Sequence, residues 1–275
     1  TMEAKRGHGV AAGMTGVVSR AWLSEHLSEV RVVDVRDGWE YDGIGHIPGA
    51  ANIQFDSFRS AEGETGMLPP TESWESLLSE AGIAPTDRIV AYDDTNGVFA
   101  ARFLVTAELR GHEPEQLQLL DGDYSAWTRE YETSTGEPEF PETSYESTDP
   151  GSTPLVDYET VLDAIDSETT VVDTRERHEY EESHIPGAVL LDWRDLVDEE
   201  SRGLKPTAEL ESILSDRGIT PERRILLYCN TARRISHTYV VLRHLGYEKL
   251  AFYEGSLTEW AERGGPIEEG APEKA

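Results

Sequence analysis

The chain has 275 residues, which is long enough for two domains of ordinary size or one large domain. It carries 54 acidic and 24 basic residues, and the formal net charge of −30 excludes nucleic acid and anionic membranes as expected partners because like charges repel. Its only cysteine is Cys229, so an intramolecular disulfide framework and a multi-cysteine metal site are also excluded.

The composition also predicts the environment of the protein. A lone cysteine favours a reducing, cytoplasmic compartment, and the absence of any run of about 18 apolar residues argues against a membrane span. The surface is acidic and nearly free of lysine, which is typical of adaptation to high salt, where repulsion is screened within about 3 Å at 1 M. The alternative is an ordinary acidic protein. Residues 1–13 are interpreted as a leader that lacks the apolar core of a signal peptide.

Strand and helix patterns alternate along the chain from residue 17. The first half predicts a helix near residues 19–27, strands at 31–35, 88–92 and 118–120, and a helix that ends at Gly111. The second half predicts strands at 170–173, 224–228 and 250–253, and a helix that Gly246 closes. This alternation predicts an α/β fold in which mainly parallel sheets are flanked by helices.

The two halves repeat the same short motifs. An Asp, an Arg and a Tyr recur at identical mutual spacing, and the segment HIPGA follows them at residues 46–50 and 184–188, one residue closer to the Tyr in the second copy. The repeat predicts a first domain at 17–131 and a second at 155–270, with the Glu-, Ser-, Thr- and Pro-rich stretch 128–154 as an extended linker. Residues kept in both copies are expected to hold the fold: Asp34 and Asp173, Arg36 and Arg175, His46 and His184, Trp127 and Trp260.

The candidate nucleophile follows the buried strand predicted at 225–228. Cys229 begins a polar turn that leads into a helix whose apolar face is formed by Ile235, Tyr239, Leu242 and Leu245. In such a strand, loop and helix unit, the free amide N–H groups of the loop and of the first helical turn converge on an anion. The unit therefore predicts a Cys229 thiolate, although a buried inert thiol is the alternative.

The neighbours of Cys229 have predicted roles as well. The loop residues Asn230, Thr231 and Ala232 are expected to cradle the sulfur, and the two arginines that follow, Arg233 and Arg234, are expected to attract an anionic substrate. Structural salt bridges are the alternative role for these arginines. The first copy has Asp93 at the position of Cys229, so only the second copy is expected to be catalytic.

With these motifs in view, the chain resembles the tandem-domain rhodaneses, which are thiosulfate or 3-mercaptopyruvate sulfurtransferases. The resemblance covers roughly residues 17–268. It rests on the paired HIPGA segments, YD at 92–93, YCNTARR at 228–234 and YEGSLTEW at 253–260. It implies two rhodanese-like domains, of which the first is inactive and the second carries the catalytic cysteine.

The resemblance also implies a mechanism. The Cys229 thiolate would take the sulfane sulfur of thiosulfate, release sulfite and hold a persulfide, while Arg233 and Arg234 would bind the sulfonate end of the donor. A thiophilic acceptor, cyanide or a thiol, would then remove the sulfur, and a sulfur-accepting protein is a further candidate partner. No metal or organic cofactor is expected.

Two departures from the family pattern concern the loop. Its residues match neither the thiosulfate-preferring nor the mercaptopyruvate-preferring pattern, so 3-mercaptopyruvate is the alternative donor, although the arginines favour thiosulfate. Ala232 stands where glycine is usual, and a positive φ at this position would cost about 1 kcal/mol or more.

Other functions are less compatible with the loop. A phosphatase or arsenate reductase of this fold needs an arginine six positions after the cysteine, where this chain has Ile235. A carrier or sensor that holds a persulfide without turnover is a second alternative. No metal role is expected for the histidines near the site, because His184 has its twin in His46 and the spacings of the others, His178, His237 and His244, are typical of solvated helix faces.

Overall fold

Short aliphatic runs form the strands of two parallel sheets in the computed structural model, which describes residues 16–59, 67–136, 138–141 and 143–271. The runs IVAY and ILLY are buried along their whole length, because successive side chains enter two different cores on the two faces of the sheet. The interpretation of residues 1–13 as a leader lies outside the described residues.

The first sheet has the strand order β1-β5-β4-β2-β3, and all neighbouring strands are parallel. A 3₁₀ helix at Phe55–Phe58 follows β3, and another at Pro114–Gln116 precedes β5. The elements are β1 (Gly16–Ser19), α1 (Arg20–His26), β2 (Arg31–Asp34), α2 (Gly38–Gly43), β3 (Ala51–Asn52), α3 (Thr71–Glu80), β4 (Ile89–Tyr92), α4 (Val98–Leu109), β5 (Leu117–Asp121) and α5 (Tyr124–Trp127).

The second sheet has the order β7-β6-β8-β9 and is also parallel. A 3₁₀ helix at Trp193–Leu196 follows β7. The elements are α6 (Tyr158–Ile165), β6 (Thr170–Asp173), α7 (Arg177–Glu182), β7 (Val189–Leu190), α8 (Thr207–Asp216), β8 (Ile225–Tyr228), α9 (Arg233–His244), β9 (Leu250–Phe252) and α10 (Ser256–Glu262). The predicted architecture of two α/β units with parallel sheets is confirmed, whereas the domain limits 17–131 and 155–270 stay predictions.

Within the described ranges, no helix combines the length and the apolar character that a membrane crossing requires.

The repeated motifs make the same contacts in both sheets. Asp34 pairs with Arg36, and Asp173 with Arg175, each at 2.6 Å and away from water. The tyrosine that precedes each HIPGA segment donates its hydroxyl to the carbonyl of the last residue of that segment, again at 2.6 Å in both copies. These contacts agree with the expectation that the shared residues hold the fold.

The predicted linker 128–154 lies against the first domain. Its described residues form no helix or strand, yet Tyr145 is buried and its hydroxyl lies 3.0 Å from Nδ1 of His112. The backbone N–H of Tyr145 also donates to Ser79 Oγ. The described part of this segment is therefore anchored to the surface of the first domain, and its role as a linker stays a prediction.

The two domains share one continuous core. Helices α4 and α9 pack against each other more extensively than any other pair of helices, and the largest apolar cluster contains residues of both sheets. Polar contacts cross the same boundary: Tyr239 Oη donates to Glu108 Oε1 at 2.7 Å, and Arg102 forms a buried ion pair with Glu254. The packing of α4 against α9 and these polar contacts therefore fix the relative position of the two sheets.

One prediction about helix α9 is wrong. His237 was expected on a solvated face, but its side chain is fully buried and its ring packs at 5.3 Å, edge to face, against Trp193. Burial lowers the pKa of His237 to about 4. The helical spacing does not indicate exposure here, because residues 235–242 of α9 are buried all round, between their own sheet and the first domain.

The buried pair at the domain boundary gives a stability prediction. Arg102→Met leaves the Glu254 carboxylate buried without its guanidinium, so the free energy of unfolding should fall by about 3–5 kcal/mol. The urea midpoint measures this loss. The control is Arg177→Met, which removes an exposed pair with Glu181 and should cost at most about 1 kcal/mol. Equal midpoints for the two variants would contradict the role of the buried pair.

Candidate functional site

The end of the central strand β8 positions the sulfur. Cys229 follows Tyr228 directly, and its side chain is 1% exposed. Its backbone N–H donates to Ser256 Oγ at 3.1 Å, and its carbonyl accepts from the N–H of Leu257 at 2.9 Å. The start of α10 therefore holds the base of the loop.

The loop needs a left-handed residue before the helix begins. Ala232 occupies this position with φ 65°, so the positive φ that the sequence analysis considered is present, at a cost of about 1 kcal/mol or more. Gly97 plays the same part before α4, with φ 85°. The first-domain loop, 93–97, is one residue longer than the loop 229–232 in the second domain.

The first-domain loop shows what this backbone arrangement binds. Asp93 occupies the position of Cys229, and its carboxylate accepts four backbone N–H bonds of 2.7–3.0 Å, from Thr95, Gly97, Phe99 and Ala100. Burial raises the pKa of Asp93, and these donors oppose the rise because they stabilise the charged form. The loop is thus a binding site for an anion, and in the first domain its own side chain fills it.

The second arginine of the pair is bound within its own domain. Arg234 makes a two-pronged ion pair with Glu179 of α7, with N–O distances of 2.5 and 2.9 Å. Glu179 also accepts from Asn230 Nδ2 at 3.0 Å, so one carboxylate joins two residues of the loop region. Burial opposes ionisation of Glu179, but the hydrogen bonds from Arg234 and the backbone N–H of Glu176 lower its pKa to about 2.

The first arginine has a different environment. Among the described residues, Arg233 contacts no carboxylate, and its guanidinium lies 5.1 Å from the ring centre of Phe99 in the first domain. Burial lowers the pKa of Arg233, repulsion from Arg234 and Arg59 lowers it further, and attraction to Cys229 opposes both. Because Arg233 has no carboxylate partner among the described residues, its N–H groups remain available to bind an anion near Cys229.

The predicted site residues lie together, although their neighbours differ. Cys229, Asn230, Thr231 and Ala232 form the loop, and Arg233 and Arg234 form the first turn of α9. Thr258 Oγ1 donates to the carbonyl of Asn230 at 2.8 Å. The roles assigned to these residues stay predictions, but the contacts of Arg234 are those of the structural alternative.

Sequence reasoning missed three residues that shape the site. Ser256 could have been found, because it occupies in the second copy the place of Asp123 in the first. Asp123 accepts the backbone N–H of Asn96 at 3.2 Å, and Ser256 accepts that of Cys229, so each supports the loop of its own domain. Glu179 could have been found from its position one turn into α7, beside the repeated Asp-Arg motif. Phe99 carries no signal, since its contact with Arg233 exists only because the domains pack together.

The comparisons agree with this architecture. A family model described as Rhodanese-like domain matches the chain twice, over residues 19–130 and 157–263. The thiosulfate sulfurtransferase of Azotobacter vinelandii is 31% identical over 263 residues, which cover 90% of this chain and 95% of that protein. The thiosulfate sulfurtransferase of Pseudomonas aeruginosa is 32% identical over 250 residues, which cover 84% and 88%.

A solved structure is similar over its whole length. SseA from Escherichia coli, described with the rhodanese fold of 3-mercaptopyruvate sulfotransferases, is 25% identical and superposes with a TM-score of 0.77, covering 87% of this chain and 98% of that one. The chain belongs to the rhodanese family, with two rhodanese-like domains. The relatives identify it as an enzyme of the sulfurtransferase class, which confirms the predicted family and fold class.

The anion preference of the loop can be measured in the first domain. Asp93→Asn keeps the size of the side chain but directs an NH₂ group at two N–H donors, so the free energy of unfolding should fall by about 3 kcal/mol. Urea unfolding measures this change, with the exposed Asp42→Asn as the control for loss of one charge. If the two variants have the same midpoint, the loop does not select an anion.

The bond between Glu179 and Arg234 should appear in the pH dependence of stability. The folded pKa of Glu179, about 2, lies below its ordinary value of 4.5, so the carboxylate stabilises the fold above pH 4.5, and this contribution is lost as the pH falls towards 2. Glu179→Gln should lower the unfolding free energy by about 3 kcal/mol at pH 6 and by about 1 kcal/mol at pH 3.

Urea unfolding at the two pH values tests this difference. Glu248→Gln, at an exposed site remote from the loop, is the control and should show no such change. If Glu179→Gln lowers the free energy of unfolding equally at pH 6 and pH 3, an ionised Glu179–Arg234 pair is excluded.

Proposed function

We propose that the protein is a thiosulfate sulfurtransferase in which Cys229 carries the transferred sulfur as a persulfide. The thiolate attacks the outer sulfur of thiosulfate, the S–S bond of thiosulfate breaks, and its electron pair leaves with sulfite. The sulfur that remains is bonded to Cys229 Sγ and carries a negative charge. A thiophilic acceptor, cyanide or a thiol, then attacks this outer sulfur, and the electron pair of the Cys229–sulfur bond returns to Cys229.

The contacts of Asp93 are the observation that carries this proposal. The same strand, loop and helix unit binds a carboxylate through four amide donors in the first domain, and in the second it presents a cysteine, which supplies no such oxygens. The charged outer sulfur of a persulfide would accept from the amides of Asn230, Thr231, Ala232 and the first turn of α9. This need for an acceptor favours a persulfide over an inert thiol.

The two arginines receive different roles in the proposal. Arg233 has donors available and lies near Cys229, so we assign it the anionic end of the sulfur donor. Arg234 is held by Glu179, and we assign it the task of fixing the first turn of α9 and the loop beside it. A direct contact of Arg234 with the donor would require this ion pair to open.

Thiosulfate is the donor that the relatives support. The proteins from Azotobacter vinelandii and Pseudomonas aeruginosa are named thiosulfate sulfurtransferases, and Arg233 suits the small dianion that thiosulfate forms. The similarity to SseA makes 3-mercaptopyruvate the second candidate donor, because it would leave the same persulfide on Cys229.

Intact mass and turnover test the proposal together. After incubation with thiosulfate in a high-salt buffer, the parent should gain the mass of one sulfur atom and should release sulfite over many cycles when cyanide is present. Cys229→Ser should lose both properties, and Asp42→Asn, at an exposed position of α2 in the first domain, should keep them. Sulfite release that stops after one equivalent would show that the protein is a persulfide carrier and not an enzyme. A mass gain from 3-mercaptopyruvate but not from thiosulfate would show that 3-mercaptopyruvate is the sulfur donor.

A further inference from the structure

A cavity at the domain boundary adjoins the loop that carries Cys229. Its volume is about 380 Å³, and its walls come mainly from the carboxyl end of the first sheet, with one contribution from α9 of the second domain. Its principal lining residues are Arg36, Phe55, Arg59, Asp94, Phe99 and Arg233. Cavities of about 300–1,000 Å³ bind organic ligands, so this one is far larger than thiosulfate or cyanide requires.

Guanidinium groups dominate the free hydrogen-bonding capacity of this cavity. Arg233 contacts no carboxylate among the described residues, and buried atoms of two further arginines, Nε of Arg59 and Nη1 of Arg36, have no acceptor there either. Arg36 itself is 5% exposed. Three arginines from two domains thus line one space, and Arg233 is the one among them without an ion-pair partner in the described residues.

The carboxylates that line the same space are already bound. Asp93 accepts the four loop amides, Asp94 accepts the backbone and hydroxyl of Ser125, and Asp56 pairs with Arg59 at 2.6 Å. Asp37 and Glu40 form the capping box of α2. The donors that remain free are therefore cationic, and the ligand that satisfies them carries a carboxylate or a similar anion.

The position of the cavity relative to Cys229 restricts the ligand further. Cys229 does not line the cavity, whereas Arg233 lies between the loop and this space and stacks on Phe99. A ligand whose anionic end lies beside Arg59 must reach past Arg233 to the bound sulfur. A flexible chain between a thiol and a carboxylate has this reach, and a small inorganic donor does not.

We propose that this cavity binds the sulfur acceptor, a low-molecular-weight thiol with a carboxylate at the far end of a flexible chain, and that Arg59 is a specificity-determining residue for it. This inference rests on the proposed function. The acceptor thiolate attacks the outer sulfur of the Cys229 persulfide and leaves as its own persulfide, while the electron pair of the broken bond returns to Cys229. The first domain thus selects the acceptor for the cysteine of the second.

Glutathione and its monoethyl ester, in which the glycine carboxylate is blocked, are the matched probes. With the parent enzyme, kcat/KM for glutathione should exceed that for the ester by about tenfold or more, which is the effect of losing one hydrogen bond to a charged group. Equal values for the two thiols would overturn the proposal.

Variants of Arg59 distinguish an effect on the acceptor reaction from an effect on the donor reaction. Arg59→Met should lower kcat/KM for glutathione by about tenfold or more and remove the preference over the ester, while kcat/KM for thiosulfate with cyanide as acceptor changes by less than about twofold. Arg59→Lys should restore part of the loss because it keeps the positive charge. Arg88→Met, an exposed arginine at the opposite end of β4, is the control.

Separate measurements with the sulfur donor and with the acceptor distinguish failure of the acceptor-site proposal from failure of the proposed function. An equal fall in kcat/KM for thiosulfate in Arg59→Met would show that the cavity binds the donor, and it would overturn the proposal. The urea midpoint of each variant shows whether the variant is folded. A parent that gains no sulfur mass from any donor would instead exclude the proposed function, whatever the Arg59 variants do.

Discussion

Backbone N–H groups that have no helical partner impose the constraint on which this structure depends. In both domains a buried strand turns within a few residues into a long buried helix, so the amides of the loop and first helical turn are removed from water and need an acceptor. The carboxylate of Asp93 satisfies this need in the first domain. In the second domain, under the proposed function, the charged sulfur on Cys229 is the acceptor for these N–H groups.

The difference between the two loops follows from side-chain length and loop length. In the first domain Asp93, on a five-residue loop, turns back and accepts hydrogen bonds from the amides of the loop and of the first turn of α4, so these donors are already occupied. In the second, the loop is one residue shorter, and Cys229 has neither the reach nor the oxygens to do the same. The same backbone plan therefore gives a loop closed by its own carboxylate in one copy and, under the proposed function, a reactive cysteine in the other.

The shared core makes the first domain part of that site. Because α4 packs along α9, Phe99 meets Arg233, and the carboxyl end of the first sheet faces the start of α9. The buried pair of Arg102 and Glu254 holds this arrangement in register. A copy without a nucleophile thus supplies walls and charges that the second domain lacks on its own surface.

The sequence by itself determined the local features. The runs of apolar residues predicted six of the nine described strands, β2, β4, β5, β6, β8 and β9, within one residue, but not the short edge strands β1, β3 and β7. The repeated Asp-Arg and HIPGA motifs predicted two similar α/β domains, and the substitution of the usual glycine by Ala232 raised the question of a positive φ, which the structure has. These features depend on residues close together in the chain, so their patterns are visible without a structure.

Only the tertiary structure decided how neighbouring residues differ in environment. Arg233 and Arg234 are adjacent and chemically identical, yet one lies over Phe99 of the first domain and the other is bound by Glu179 of α7. His237 has the spacing of a surface residue and is fully buried. Each of these outcomes depends on which surfaces the two domains cover in each other, and a single sequence does not encode that geometry in any local pattern.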